Sequence, residues 1–422
     1  MTHGAWAGAP PAAEARWTLW RLATVGAAAL VFLIYSQFWV FPILGEDGDP
    51  AASGLVRNLY LPAYAAALFL FALSPWEVVR ATLRQPFLIL LLLICAASIT
   101  WSIAPDQSFR RVIALGFTCL GAIVLAVRYS WAELAELLAG CFAALAVIAI
   151  LAALLVPSLG VMPDLFPGAW RGVWPEKNAL GGNMAIGFVV LAAAAALNPK
   201  RALLWGGFAV LALFLVLMST SKTSLVSLLL GFGGLVFVAL VRRNAALGVG
   251  MVWLAVFGAA LLGGFMLVAA DVFFELLGKD ATLTGRTEIW EAAMRQIEKR
   301  PWTGYGYGVV WEVKGAWTPL AWIVKDANFT PIHAHSAWVE QWIGMGLPGL
   351  AAFALMYAQA LILAAVAIFR DRGAFLAVPF LIVYSLMSFT ESIAVTYHDF
   401  RWALFVMIAV KLAYPISATV RR

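Results

Sequence analysis

Two histidines one residue apart, His333 and His335, stand in Pro331-Ile332-His333-Ala334-His335-Ser336 and are half of the four histidines in this 422-residue chain. An imidazole accepts a proton near neutral pH, so either ring suits a general base acting on a hydroxyl. The pair equally suits a metal ion or a purely structural contact. The surrounding loop offers few carboxylates and no cysteine to complete a coordination shell, so no metal is expected. Upstream, Thr284-Gly285-Arg286-Thr287-Glu288-Ile289-Trp290 opens a helix, with Trp290, Met294 and Ile297 spaced i, i+4, i+7 and Glu291 four residues before Arg295. Thr284 is the expected N-cap, and Arg300-Pro301 the stop. Arg286 then sits in the first turn, where a cation opposes the helix dipole by roughly a few tenths of a kcal/mol. It is either solvated, or it joins the helix end in facing a phosphate, for which its planar fork of donors is suited.

Further cations flank apolar runs. Arg171 and Lys177 lie in Trp170-Arg171-Gly172-Val173-Trp174-Pro175-Glu176-Lys177-Asn178, Lys222 lies among hydroxyls in Ser219-Thr220-Ser221-Lys222-Thr223-Ser224, and Arg110-Arg111 is a third case. Each either snorkels to lipid headgroups or meets an anion. Together they could neutralise a diphosphate whose lipid tail lies between helices. The stretch Trp302-Thr303-Gly304-Tyr305-Gly306-Tyr307-Gly308 follows a helix and a proline, so it lacks the strand-to-helix context of a dinucleotide site and reads as a loop. The many tryptophans and tyrosines around it suit a membrane interface, or a platform for a sugar ring.

The elements that position these residues follow from composition. Hydrophobic residues make up 64% of the chain and charged residues 12%, against roughly 45–50% and about 25% in soluble proteins. A soluble fold is excluded. Twelve apolar segments stand out, at about 18–44, 58–74, 86–104, 112–128, 134–156, 183–198, 202–220, 223–241, 245–270, 340–369, 374–392 and 400–416. Cys95, Cys119 and Cys141 sit inside such runs and form no ligand spacing. The net charge of +6 is spread singly or in pairs between apolar runs, as membrane topology arranges it, so nucleic acid is not an expected partner.

The expected fold is therefore an all-α polytopic membrane protein of about twelve transmembrane helices with both termini cytoplasmic. Residues 1–270 would hold nine spans, 271–339 one long outer loop with its amphipathic helix, and 340–422 three spans. This orientation puts about twice as many Lys and Arg in the short inner connections as in the short outer ones, whose first is the acidic Glu46-Asp47-Gly48-Asp49. It also gathers every unusual polar segment on the outer face. A secondary transporter or lipid-linked glycan flippase shares the span number, but usually carries ionisable residues at mid-membrane, where these spans have almost none.

From about Trp101 to Arg401 the sequence resembles the bacterial O-antigen ligase and polymerase family, and within it the exopolysaccharide polymerase branch. Thr284-Gly285-Arg286-Thr287-Glu288-Ile289-Trp290, Pro301 with Gly304-Tyr305-Gly306, and His333-Ala334-His335-Ser336 carry the resemblance, supported by Ser221-Lys222-Thr223 and Lys177-Asn178-Ala179-Leu180-Gly181. The resemblance implies a metal-independent, inverting glycosyltransferase of the bacterial inner membrane that needs no cofactor. Its donor would be an undecaprenyl-diphosphate-linked glycan, used at the periplasmic face. The acceptor would be another lipid-linked repeat, a lipid A-core sugar, or a protein side chain as in an oligosaccharyltransferase. It further implies that His335 activates the acceptor hydroxyl and that Arg286 binds the diphosphate, with Lys222 standing where many relatives have arginine. Arg171, Lys177, Asn178, Arg110, Arg111 and His333 complete the expected substrate-binding set. Ser336 replaces a frequent Asn, and Glu176 stands where some relatives have His.

Overall fold

In a computed structural model the described residues are 19–45, 53–164, 166–254, 257–258 and 285–414. The Glu46–Asp49 run, Thr284, most of the 245–270 segment, the first part of the long connection and both terminal stretches lie outside them. Among the described residues all regular structure is helical apart from one isolated bridge, Val161 to Trp170. This is a multi-pass membrane protein. Among the described residues seven helices are long and apolar enough to cross a bilayer, or eight if the pair Pro75–Leu83 and Pro86–Trp101, bent by 91°, forms one span. Leu19–Tyr35, Ala245–Leu254 and Ala374–Thr390 are shorter apolar helices, and Phe400–Ala413 adds another of 14 residues.

Local sequence sets the helix ends. Proline opens Pro75–Leu83, Pro86–Ala97, Pro105–Arg128 and Pro319–Ala327, where its missing N–H is no loss. Ser130 and Glu133 form a capping box before Trp131–Leu155. Lys177–Leu197 is the central helix, in contact with Trp131–Leu155, Ala202–Met218, Lys222–Arg243 and Ala374–Thr390. Small residues bring these helices together: a Cβ on Gly231 would meet Val189 at 2.4 Å, and one on Gly187 would meet Phe142 at 2.8 Å.

The two ends of the bundle differ chemically. At one end Arg128 bonds Ser74, Asn198 bonds the Ala132 carbonyl, and Arg242 bonds the carbonyls of Ile368 and Asp371. Every segment that carries a candidate site residue lies at the other end.

The longest helix, Ala337–Arg370, has 34 residues and breaks at Gly346 (φ 67°, ψ −170°). At about 1.5 Å per residue it reaches roughly 50 Å, well beyond a core about 30 Å thick. The glycine–tyrosine loop is threaded into this break. The Pro301 carbonyl accepts the Leu347 N–H (2.8 Å), Tyr305 N donates to Ile343 O (3.0 Å) and Gly306 N to Gly344 O (2.8 Å). A Cβ on Gly346 would stand 2.2 Å from the Trp302 carbonyl oxygen, so only glycine fits.

Candidate functional site

The histidine turn is fixed from both sides at the residue between the rings. Ala334 N donates to Glu340 Oε1 (2.7 Å), and the Ala334 carbonyl accepts Trp290 Nε1 (2.8 Å). Glu340 is itself held by Trp311 Nε1 and Ser392 Oγ, and Ser336 caps the Ala337–Arg370 helix through Val339 N. His335 is thereby locked at φ 51°, a left-handed backbone that costs a non-glycine residue on the order of 1 kcal/mol. Its N–H donates to His333 Nδ1 (3.2 Å), so that nitrogen is an acceptor and the proton of neutral His333 is on Nε2. The rings stand 3.9 Å apart at 68°. Burial, and after it the neighbouring His335, pushes the His333 imidazole down to about 4.

A carboxylate from a distant segment joins this turn. Glu391 follows the Ala374–Thr390 helix and places Oε1 3.4 Å from Arg286 Nη2 and Oε2 3.7 Å from His335 Nδ1. His335 Nδ1 is buried and makes no hydrogen bond at that distance among the described residues. Burial of Glu391 favours its neutral acid, but the neighbouring His335 and the charges of Arg286 and Arg401 outweigh this and hold the carboxyl below its usual range. The donor atoms of His333, His335 and Glu391 lie within 4.8 Å of one another. Two histidines and a carboxylate could ligate a transition metal. With Arg286 on one carboxylate oxygen and the charge of Arg401 also acting there, the local field works against a second cation.

Four helices at this end begin with a cation. Lys177, Lys222 and Arg286 are the first residues of Lys177–Leu197, Lys222–Arg243 and Arg286–Lys299, and Arg401 is the second of Phe400–Ala413. Three of the four have no acidic residue in their first turn. A cation at the positive end of a helix dipole is locally unfavourable. Repeated four times at one end, this arrangement favours an anion.

The expected residues separate into groups. His333, His335 and Asn178 line one cavity of about 250 Å³, together with Glu391 and Arg401, and Arg286 joins them through Glu391. Lys177 Nζ donates to Thr220 Oγ1 (3.3 Å), bringing the Lys177 and Lys222 segments together. Arg171 is directed elsewhere: it bonds the carbonyls of Leu159 and Ser158 and stacks on Phe41. Arg111 pairs with Glu312 and bonds the Gly308 carbonyl, while Arg110 is exposed. Sequence reasoning did not single out Asn183 or Arg401 and gave Glu391 no definite role. The available signals were Glu391 as a lone carboxylate between Arg372 and Asp399, and Asp399-Phe400-Arg401 as a helix start.

Residues 207–354 match the model of a family described as O-antigen ligase. That stretch includes Lys222, Arg286, His333 and His335. Over that stretch the chain is similar to the O-antigen ligase family. A curated relative, the exopolysaccharide production protein ExoQ of Rhizobium meliloti (strain 1021), is 29% identical over 270 residues. The match covers 60% of this chain and 59% of that relative's length. Asn178, Glu391 and Arg401 lie outside the family match.

Proposed function

We propose that this O-antigen ligase/polymerase-like protein is a metal-independent, inverting glycosyltransferase of the bacterial inner membrane. It would move an undecaprenyl-diphosphate-linked oligosaccharide onto an acceptor hydroxyl at the periplasmic face. Twelve spans with both termini cytoplasmic complete this reading and put the histidine end outside. The observation that carries it is the cluster itself: an imidazole with an unsatisfied, buried Nδ1 stands beside a carboxylate that is also paired with a first-turn arginine.

In this reaction His335 takes the acceptor proton through Nε2. Glu391 faces Nδ1, orients the ring and stabilises the imidazolium that forms. The acceptor oxygen bonds to the anomeric carbon while the bond from that carbon to the diphosphate oxygen breaks, and the electron pair leaves with the diphosphate. Arg286 and Lys222, helped by Lys177, meet the growing charge on the leaving group, where fixed donors lower the barrier most. The name of the Rhizobium relative favours a polymer-building acceptor, a second lipid-linked repeat, over lipid A-core. Transfer by purified protein in detergent, using lipid-linked glycan extracted from the source bacterium, tests the reading. Full activity in folded His335→Ala protein ends it.

A further inference from the structure

The cavity beside the histidines differs in charge from the helix ends around it. Arg401 is the only Lys or Arg among its described lining residues, beside His333 and His335 and against three carboxylates, Glu176, Glu391 and Asp399. Two of those carboxylates are already paired. Arg401 donates from Nε and Nη2 to Asp399, and Arg286 meets Glu391. The cavity therefore has no surplus positive charge, and a diphosphate placed inside it would meet Glu176 with no cation of its own. What remains is neutral hydrogen-bonding capacity. Asn183 is only 4% exposed, lines the cavity and bonds no described residue. Asn178 lines the same space, and Gln37 commits its nitrogen to the His398 carbonyl, leaving Oε1 as an acceptor.

We propose that this cavity is a subsite for one uncharged pyranose ring, the acceptor sugar whose hydroxyl His335 deprotonates. The inference rests on the transferase reading above and adds the ligand class. Alternating amide donors and acceptors around neutralised ion pairs match a ring of hydroxyls. At about 250 Å³ the space is smaller than the roughly 300–1,000 Å³ of pockets for drug-sized ligands, so it takes one ring and not an oligosaccharide. The acceptor lies here because the base lines this cavity. Lys177, Lys222 and Arg286 lie outside the lining.

The experiment compares wild-type protein in detergent with Asn183→Leu, exposed Asn178→Leu, and the double variant Asp399→Asn/Arg401→Gln, which removes a charge pair without stranding either member. Two quantities are read: binding of undecaprenyl diphosphate, and transfer between lipid-linked repeats against acceptor concentration. The cavity variants are expected to bind undecaprenyl diphosphate within about twofold of wild type and to raise the acceptor KM about tenfold or more, while Arg286→Lys weakens undecaprenyl diphosphate binding. Because Asn178 is exposed, its variant keeps the test informative if the others unfold. Methyl glucopyranoside is expected to compete with acceptor better than methyl glucuronide. Unchanged acceptor KM in the folded variants, loss of undecaprenyl diphosphate binding in them, or stronger competition by the glucuronide would each overturn the subsite. A wild-type protein that transfers nothing would instead overturn the transferase reading, and the subsite with it.

Discussion

The glycine–tyrosine loop, Pro301–Gly308, and the histidine turn, His333–His335, adjoin the same helix, and each carries polar and aromatic side chains in a short run. In the loop these groups are used up within the protein. Tyr305 Oη donates to the Gln296 carbonyl (3.0 Å), Tyr307 Oη to the Val395 carbonyl (2.7 Å), and the backbone fills the break at Gly346. In the histidine turn the backbone is equally fixed, but His335 Nδ1 is left unbonded and the residue is strained. Saturated polar groups identify scaffold, whereas in the histidine turn the rigid frame sets His335 Nδ1 against Glu391 and leaves the residue on the cavity.

That contrast can be broken by substitution, beginning with the largest effect. Replacing His335 with Ala should lower transfer about 10²–10⁴-fold, the range of general-base catalysis, with little change in thermal unfolding. Arg286→Lys keeps the charge but loses the fork, and transfer should fall roughly 10²-fold, read as initial rate at saturating acceptor. In the loop the effects should fall on stability. Gly346→Ala places a methyl against the Trp302 carbonyl at positive φ and should cost about 2–4 kcal/mol, seen as a lower unfolding midpoint. Tyr307→Phe should cost about 1 kcal/mol and leave transfer per folded molecule unchanged. A site-like loss of rate in Tyr307→Phe would remove the distinction between the two regions.

A separate effect is in pH. Folding holds His333 down to about 4 from an ordinary 6.5, so below about pH 6.5 the unfolded chain binds a proton that the folded chain refuses. This contribution is constant above pH 6.5, and stability falls from there to about pH 4. The depressed Glu391 carboxyl acts in the same direction below its ordinary 4.5. In His333→Gln the decline between pH 6.5 and 4.5 should flatten in unfolding scans.

Local signals were legible in the sequence. The 3.6-residue period and Arg300-Pro301 gave the helix that runs Arg286–Lys299, while its expected N-cap, Thr284, lies outside the described residues. Apolar runs located the helices, but not the 91° bend at Arg84-Gln85 or the break at Gly346, because both depend on what packs against the chain. The site was legible only in part. Glu391 reaches His335 from more than fifty residues downstream, and nothing in one sequence announces a contact that tertiary packing makes. Arg111 and Arg171 show the converse. A cation beside an apolar run looks available for an anion, yet these two meet Glu312 and backbone carbonyls, partners that become visible only when the loops close over them.

The threading of Pro301–Gly308 into the broken helix also bears on how such proteins can be recombined. The Trp302–Gly346 contact and the pairing of 305–306 with 343–344 make the segment before His333 and the first part of the Ala337–Arg370 helix one folded piece. A chimaera that exchanges residues 285–335 between relatives while keeping the recipient's 341–347 would bring two mismatched halves together. The exchangeable unit ends after Leu347, inside the helix and beyond the loop boundary.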